Sequence, residues 1–337
     1  MSAKEVPQES LMRRIIVTGG SGFIGTNLVD HFIGEGAAVM NIDSRAPRNS
    51  AHAPYWREVD ILDALALKRA FEDFSPSYLL HMAARTDLSG DTVDDYTANT
   101  VGVRNIIEAA TGEPRLRRSI FASSMLVCRL GYRPKNDTDY APTTAYGRSK
   151  VAGEQIVREV AARRLPWVVV RPTSLWGPWF DVPYRTFFDA IKSGWYVHPR
   201  GVAVRRSYGF VLNCVRQLAL LLTADEARVA KRTFYLADYE PIELRAWAES
   251  IRTAFEAPPI REVPLPMLRL AALVGDLLKR LGVRNPPLTS FRLDNMTTEA
   301  VHDLSPLKEV CGAVPYDVEE GVRLTVEWMR RHTESIK

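Results

Sequence analysis

Residues suited to acid–base chemistry occur together in one short segment, YGRSK, which begins at Tyr146 and ends at Lys150. A spacing of four residues places both side chains on one face of a helix, one turn apart. At an effective dielectric constant near 20, an ammonium about 4 Å away favours the phenolate by about 4 kcal/mol, or roughly 3 pK units. Before any opposing effect of burial, we therefore expect Lys150 to bring the pKa of Tyr146 from about 10 toward about 7, where a phenol can act as a general base.

A hydroxyl that could hold the reacting oxygen of a substrate stands upstream, at Ser124. It follows the strand-like run 119–123, and parallel sheets bind their ligands at the carboxyl ends of strands. The same serine could also serve only to end the strand in a turn.

A glycine-rich turn, TGGSGFIG, joins a β-branched strand-like run to a helical pattern. Gly19, Gly22 and Gly25 permit a tight turn, close approach of the backbone to a pyrophosphate, and close packing of helix on strand. The free N–H groups and partial positive charge of the helix N-terminus then favour phosphate. The pattern therefore predicts a dinucleotide-binding turn rather than a turn needed only for packing.

Asp43 ends the next strand-like run, 24 residues after Gly19. This is close to the interval of about 20 residues expected for the acid that binds the adenosine ribose. A carboxylate accepts hydrogen bonds from the ribose diol and repels a 2′-phosphate, so we expect NAD rather than NADP. Arg45 could partly offset that repulsion and admit NADP.

The elements that must position these residues alternate along the first half of the chain. Strand-like runs occur at 15–18, 38–43, 78–84, 119–123 and 167–171, and helical patterns lie at 23–33, 62–74, 96–110 and 146–164. Apolar strands that alternate with helices predict an α/β fold with βαβ crossovers and a parallel, doubly wound sheet. After Trp176 the pattern becomes mixed, which predicts a soft boundary near 172–178. We therefore divide the chain into a flexible extension (1–12), a dinucleotide-binding domain (13–176) and a smaller, interleaved and mainly substrate-binding portion (177–337).

Composition excludes several classes of protein. The chain has 337 residues, 46% apolar and 25% charged, with a net charge of +4 spread along its length. These values are typical of globular proteins, and the lack of a basic block argues against nucleic-acid binding. Three cysteines without CxxC spacing argue against disulfides and a metal site, and indicate a reducing, cytoplasmic location. No run approaches the roughly 18 apolar residues of a membrane span, and we recognise no signal peptide.

The segment 266–283, PMLRLAALVGDLLKRLGV, carries apolar residues at helical spacing, interrupted by Arg269, Asp276, Lys279 and Arg280. We expect an amphipathic helix that packs into the core. The alternative is a helix that lies on a membrane surface.

Together the motifs resemble the extended short-chain dehydrogenases/reductases of the nucleotide-sugar epimerase/dehydratase type, from Arg13 to about Trp328. The matching segments are TGGSGFIG (18–25), Asp43, VDI (59–61), HMAA (81–84), NTVGVRNIIEAA (99–110), FASSMLV (121–127), YGRSK (146–150), RPTSLWGP (171–178) and RRSYGF (205–210). The resemblance implies a Rossmann-type fold, NAD as cofactor, a nucleotide sugar as substrate and a homodimer.

The resemblance also assigns roles around the cofactor. It implies pyrophosphate binding by Gly19, Gly22, Phe23, Ile24 and Gly25, ribose binding by Asp43, adenine contacts from Asp60 and Ile61, a cleft lined by Ala83 and Ala84, and support of the central strands and cofactor region by Asn99. It makes Tyr146 the base, Ser124 the ligand of the substrate oxygen, and Lys150 the residue that orients the nicotinamide ribose. Asp60 could instead be a solvated loop acid.

On the substrate side the resemblance is less complete. Arg206, in RRSYGF, stands where similar proteins bind the diphosphate, and Arg292 is a looser match for a second phosphate ligand; either could be a surface arginine. Ser174 replaces an asparagine that usually contacts the substrate phosphate. Two further departures are Val127-Cys128-Arg129 in place of VYG, and Asn213-Cys214 in place of two aspartates. These departures leave the identity of the sugar open.

The expected activity is epimerisation of a nucleotide sugar, at C4, through a 4-keto intermediate with Tyr146 as base. Met125 and Leu126 stand where the dehydratases carry an acidic pair, so we do not expect elimination of water. The first alternative is a reductase or dehydrogenase of a keto-sugar nucleotide, which uses the same residues once. The second alternative is a non-catalytic dinucleotide-binding protein.

Overall fold

Parallel strands form the central sheet of the computed structural model, which describes residues 13–161, 164–283 and 288–334. The predicted extension at 1–12 lies outside the described residues. The strands are β1 (Arg14–Thr18), β2 (Ala38–Asp43), β3 (Trp56–Glu58), β4 (Tyr78–His81), β5 (Arg118–Ala122), β6 (Trp167–Pro172), β7 (Ser174–Trp176), β8 (Val197–Pro199), β9 (Arg205–Arg206), β10 (Tyr208–Phe210), β11 (Thr233–Leu236), β12 (Ile242–Glu243) and β13 (Arg261–Val263). The helices are α1 (Phe23–Gly34), α2 (Ala64–Phe74), α3 (Val101–Thr111), α4 (Ala145–Val160), α5 (Tyr184–Lys192), α6 (Val211–Thr223), α7 (Glu226–Val229), α8 (Leu244–Phe255), α9 (Leu265–Arg280), α10 (Ser290–Thr297), α11 (Ser305–Cys311) and α12 (Val318–Glu334).

Strand β1 lies inside a seven-stranded sheet whose order is β11-β6-β5-β4-β1-β2-β3. Every pair in this sheet is parallel. The strand order runs outward in both directions from β1, so it reverses between β1 and β4. Sheets of this kind bind ligands at that switch point, beyond the carboxyl ends of the strands. The predicted α/β doubly wound fold is confirmed.

Helices cover both faces of the sheet, because successive residues of each strand are apolar and point to opposite faces. Ile15 and Val17 pack on one side with α1 and α6, while Ile16 packs on the other with α2, α3 and α4. All three β1 side chains are fully buried. This two-sided burial is what fixes β1, and with it the glycine turn that follows.

The portion after residue 176 contributes to both layers of the molecule. It supplies β11, which pairs with β6 at the edge of the sheet, and α6, which packs on α1. It also forms a separate aromatic cluster around Trp176, Phe210 and Trp247. The domain division near residue 176 stays a prediction, and the central sheet contains strands from both sides of it.

Two of the predicted elements whose bounds differ in the structure lie beside the cleft. The helix expected at 96–110 begins only at Val101, because the chain kinks at Tyr96 (φ −114°, ψ 45°) after a 3₁₀ turn that starts at Val93. The strand expected at 78–84 ends at His81. Both differences occur where the chain leaves regular structure to form the cleft wall described below.

The prediction that segment 266–283 packs into the core is wrong for most of its length. Helix α9 forms, but Leu268, Ala272 and Gly275 are the buried residues on it. Leu270, Leu273 and Leu277 are 66%, 61% and 55% exposed. In the described ranges, no helix combines the length and hydropathy needed to cross a bilayer.

Candidate active site

The glycine-rich turn after β1 lies at the switch point and touches the chain that leaves β4. Gly19 has φ +70°, and a Cβ there would lie 2.6 Å from the backbone nitrogen of Ala83. A side chain on Gly25 would collide with the carbonyl oxygen of Gly19. At Gly22, a Cβ would meet only that carbonyl oxygen within 4 Å, at 3.2 Å. The turn is therefore tightly packed at Gly19 and Gly25, whereas the space beside Gly22 is open.

Helix α1 begins at Phe23, directly after this opening. Its N-cap, Gly22, has no side chain to accept hydrogen bonds from the first turn, and that turn contains no acidic residue. The N–H groups around Phe23, Ile24 and Gly25 therefore lack a side-chain cap and carry the partial positive charge of the helix N-terminus. A cradle of this kind fits the pyrophosphate of a dinucleotide.

Asp43 lies beside the cradle at the end of β2 and is 8% exposed. Its carboxylate accepts hydrogen bonds from the backbone nitrogens of Ser21 (3.1 Å) and Arg45 (3.0 Å). Each oxygen keeps a further lone pair that can accept from a ribose hydroxyl. The Arg45 side chain is 74% exposed and its Nε lies 4.0 Å from the carboxylate, so water screens most of its effect.

Asn99 holds the opposite wall of the crevice, the segment with Ala83 and Ala84. Its Nδ2 donates to the carbonyl oxygen of Arg85 (3.0 Å) and to Ser149 Oγ (2.9 Å), and its Oδ1 accepts from the Arg85 nitrogen (2.9 Å). Both amide protons are thus used within the protein. Asn99 acts as a positioning residue for the cleft wall.

The two residues predicted at the adenine have different surroundings. Asp60 is exposed, and its Oδ1 accepts from the Leu62 nitrogen at 2.9 Å. Ile61 is buried, and a Cβ on Gly102 would lie 2.6 Å from its Cδ1. Asp60 follows β3, next to the end of β2 that carries Asp43, so it lies at the expected sheet edge, whereas Ile61 contributes to the core.

Ser124 and Tyr146 meet because α4 rests directly on the turn after β5. Ser124 Oγ accepts from the Leu126 nitrogen at 3.1 Å, which fixes that turn. Thr144 caps α4 by accepting from the Gly147 nitrogen at 2.9 Å. A side chain on Gly147 would collide with the carbonyl oxygen of Leu126. In this arrangement the Tyr146 side chain lies beside Ser124.

The expectation that Lys150 alone lowers the pKa of Tyr146 toward 7 is wrong. Burial raises the pKa of Tyr146 to about 12, and the nearby Ser124 side chain only partly opposes it. Lys150 Nζ lies 6.0 Å from the Tyr146 ring centroid and donates to the carbonyl oxygen of Ala122 at 3.0 Å. Burial also lowers the pKa of Lys150 to about 8, against the attraction of Glu154.

His81 belongs to the same constellation, although the motif HMAA gave it no separate role. Its Nδ1 lies 2.7 Å from Thr18 Oγ1, and burial together with the charge of Lys150 lowers its pKa to about 3. Its Nε2 has no hydrogen-bond partner among the described residues. Beside it is a cavity of about 20 Å³ lined also by Asn99, Ser123 and Lys150, a size and polarity that suit one water molecule.

A second polar cluster joins β7, β9, β10 and the start of α5. Ser174 is buried and lies beside Tyr184, and the residue paired with Ser174 across the strands is Tyr208. Arg206 is 7% exposed, donates from Nε to the carbonyl oxygen of Thr298 at 3.1 Å, and lies beside Tyr208. Its Nη2 is buried with no hydrogen-bond partner in the described part of the chain. Such a guanidinium is suited to an anionic ligand.

The two predicted phosphate ligands lie apart along α10. Arg206 contacts Thr298, the residue that follows α10, while Arg292 is exposed near the beginning of that helix. Six residues of helix separate the backbones of Arg292 and Thr298 by about 9 Å. The structure therefore groups Ser174 with Arg206 and with two tyrosines, Tyr184 and Tyr208, that the sequence did not single out. Neither tyrosine is close to Ser174 along the chain. Of the two, only Tyr208 lies in a motif that the sequence indicates, RRSYGF.

Comparison with known proteins agrees with this fold. The model of the NAD dependent epimerase/dehydratase family matches residues 15–237. The chain therefore belongs to that family, which makes it an NAD-dependent enzyme of the extended short-chain dehydrogenase/reductase type.

Individual relatives differ in their chemistry. An N-acetyl-α-D-glucosaminyl-diphospho-ditrans,octacis-undecaprenol 4-epimerase of Escherichia coli is 22% identical over 95% of this chain and 96% of its own. A 4-hydroxy-2-methyl-3-oxo-4-farnesyl-3,4-dihydroquinoline-1-oxide ketoreductase of Stigmatella aurantiaca is 26% identical over 83% and 85%. The UDP-glucose 4-epimerase of Thermotoga maritima, solved with UDP-glucose, superposes with a TM-score of 0.73 at 21% identity, over 95% of this chain and 99% of that one.

Proposed function

We propose that the protein is a 4-epimerase of a sugar diphosphate, a nucleotide sugar in the first instance, with Tyr146 as the base. The observation that carries the proposal is the pair of Tyr146 and Ser124, which the contact of α4 with the turn after β5 brings together. It lies at the carboxyl end of β5, in the crevice that also receives the glycine turn and Asp43. The two hydroxyls can share the oxygen of a substrate alcohol, one as acceptor of its proton and one as its anchor.

The cofactor would bind at the glycine-rich turn and the N-terminus of α1. Gly19, Gly22 and the first turn of α1 would hold the pyrophosphate, and Asp43 would accept from the adenosine ribose. Bound NAD supplies the hydride acceptor and, when oxidised, a positively charged ring. Asn99 keeps the wall with Ala83 and Ala84 in place through its bonds to Arg85.

The proton step depends on Tyr146 and Lys150. A buried phenol with a pKa of about 12 needs nearby positive charge to act as a base at neutral pH. Lys150, with a pKa of about 8, carries that charge at pH 7. Its ammonium would stabilise the phenolate while Ser124 holds the substrate oxygen. In the return step, Tyr146 would give the proton back to the same oxygen.

The substrate end would be the cluster around Arg206. Its unpartnered Nη2, with Ser174 and Tyr184 nearby, suits a diphosphate. The Escherichia coli relative is named for a sugar on a polyprenol diphosphate, and the Thermotoga maritima structure holds a sugar on a nucleoside diphosphate. A sugar diphosphate is what these two substrates share.

The second candidate is a reductase that uses the same residues once. The similarity to the Stigmatella aurantiaca ketoreductase supports this second candidate. The two activities differ in whether reduced cofactor is consumed. An epimerase interconverts two sugars with no steady change in nicotinamide absorbance, whereas a reductase consumes NADH in proportion to product.

The test is incubation of the protein and NAD with a panel of UDP- and dTDP-sugars, followed by anion-exchange chromatography and absorbance at the NADH band. The proposal expects a C4 epimer to accumulate from one of them, and no turnover by Tyr146→Phe. Undiminished turnover by Tyr146→Phe would refute the proposed base, and stoichiometric consumption of NADH would establish the reductase. The homodimer and the cytoplasmic location stay predictions, which sedimentation and cell fractionation can check.

A further inference from the structure

Helix α9 presents apolar side chains on its outer side. At 100° per residue, these side chains fall within about 140° of arc, and we call them the outer apolar face: Met267, Leu270, Leu273, Val274, Leu277, Leu278 and Leu281. Each of them is more than a third exposed. An apolar stripe of that width normally faces a protein core.

The core side of α9 is a different surface. Leu268 and Ala272 pack with Leu293 of α10 and with Val197 and Val263 of the small sheet formed by β8 and β13. These contacts fix the helix on the body of the protein. Consequently, the outer apolar face is held outward and cannot turn into the core without breaking them.

The charges on α9 have an asymmetric arrangement. Arg269, Lys279 and Arg280 are exposed, and Arg269 and Arg280 project within about 40° of the edge of the outer apolar face. The single acid, Asp276, is directed toward α10, where its carboxylate accepts from the Ser290 nitrogen at 3.2 Å. The three cations and the single acid give the helix a net charge of +2.

We propose that α9 docks the protein on the surface of an anionic lipid bilayer, with the outer apolar face in the acyl boundary and Arg269 and Arg280 at the headgroups. An apolar face bordered by Lys and Arg is the pattern of helices that lie in the membrane interface.

The charge pattern disfavours a second copy of the chain as the occupant. In a twofold contact the same face meets itself. The middle of the outer apolar face lies near Val274, so antiparallel pairing of two copies would bring Arg269 of one against Arg280 of the other. Like charges in that position oppose association, whereas anionic headgroups neutralise both.

Flotation of the full-length protein with vesicles tests the proposal without any substrate, so its result is independent of the proposed reaction. The protein should float with vesicles of equal parts phosphatidylglycerol and phosphatidylcholine, and less with phosphatidylcholine alone or in high salt. The double variant Leu270→Glu, Leu277→Glu should lower vesicle binding at least about tenfold. The matched control is Leu65→Glu, because Leu65 is 70% exposed on α2; it should float as the wild type does.

Each variant should keep the melting temperature of the wild type, because the replaced leucines are exposed. Wild-type protein that stays with the aqueous phase overturns the proposal. So does equal loss of binding in Leu65→Glu. A dimer that the double variant separates, with no flotation of the wild type, would instead identify a second copy as the occupant.

Discussion

Gly147 lies directly against the carbonyl oxygen of Leu126, so close that a side chain has no room between them. Gly147 follows Tyr146, and the backbone N–H of Leu126 donates a hydrogen bond to Ser124 Oγ. One contact between two backbones therefore sets the separation of the proposed base from the proposed oxygen ligand. A residue with no side chain thus has a direct influence on the chemistry.

We predict that Gly147→Ala lowers kcat by at least about tenfold, because it moves α4 away from the Ser124 turn, and misplacement of reacting groups by about 1 Å can cost that much or more. Steady-state kinetics at saturating NAD measure it. Gly34→Ala is the control, since its new Cβ meets nothing within 4 Å. Equal kcat in Gly147→Ala and wild type would show that this contact does not set the active geometry.

Arg206→Gln should raise the KM for the sugar diphosphate by at least about tenfold, since a charge-assisted hydrogen bond to an anion contributes about 1.5–3 kcal/mol. Binding of NAD, followed by fluorescence, should be unchanged. Arg205 is the adjacent control because it is exposed on the same short strand. If Arg205→Gln raises KM as much as Arg206→Gln, the buried guanidinium is not the diphosphate ligand.

The ion pair between Arg171 and Glu154 is buried on both sides, with side chains 1% exposed and 2.8 Å between Nη2 and Oε2. Glu154→Gln leaves a buried guanidinium without its counter-charge, so the free energy of unfolding should fall by about 3–5 kcal/mol. The exposed pair of Arg164 and Glu108 offers the comparison, and Glu108→Gln should change it by no more than about 1 kcal/mol. Urea unfolding measures both, and similar losses would contradict the role of burial.

His302 gives stability a dependence on pH. Burial and the nearby charge of Arg171 lower its pKa from 6.5 to about 4 in the folded protein. Between these values the unfolded chain binds a proton that the folded protein does not, so the free energy of unfolding falls as pH drops. From pH 7 to pH 5 this one group accounts for about 2 kcal/mol.

The matching variant is His302→Gln, studied by urea unfolding at both pH values. Its loss of stability between pH 7 and pH 5 should be smaller than that of the wild type by about 2 kcal/mol. The comparison cancels the other titrating groups, including Asp238, whose pKa burial raises to about 6 and which acts in the opposite direction. An identical loss in both proteins would mean that His302 is protonated equally in the folded and unfolded states.

The sheet and the glycine turn could be predicted because local patterns determine them. Ile15, Ile16 and Val17 form an apolar run, and an apolar run before TGGSGFIG fixes both β1 and the place of the cradle. The pKa of Tyr146 could not be predicted in this way. Spacing in the sequence gives the helix face of Lys150, but not its bond to Ala122 or the burial of the phenol.

Contacts between segments that are distant along the chain could not be predicted from the sequence either. Ser174 and Tyr208 are partners only because β7 pairs with β10, and nothing near either residue indicates that pairing. Helix α9 illustrates the same limit for surfaces. Its periodicity predicts an apolar side, yet only the packing of Leu268 on α10 decides that most of the apolar residues point outward.

The position of β11 in the sheet has a consequence for synthesis of the chain. Strand β6 ends at Pro172, but its outer neighbour is not complete until Leu236. A ribosome that has just delivered β6 has therefore made a sheet with an open edge, which invites pairing with other chains. Translation must continue by more than 60 residues before that edge is covered. Until then the open edge of β6 exposes the nascent chain to aggregation.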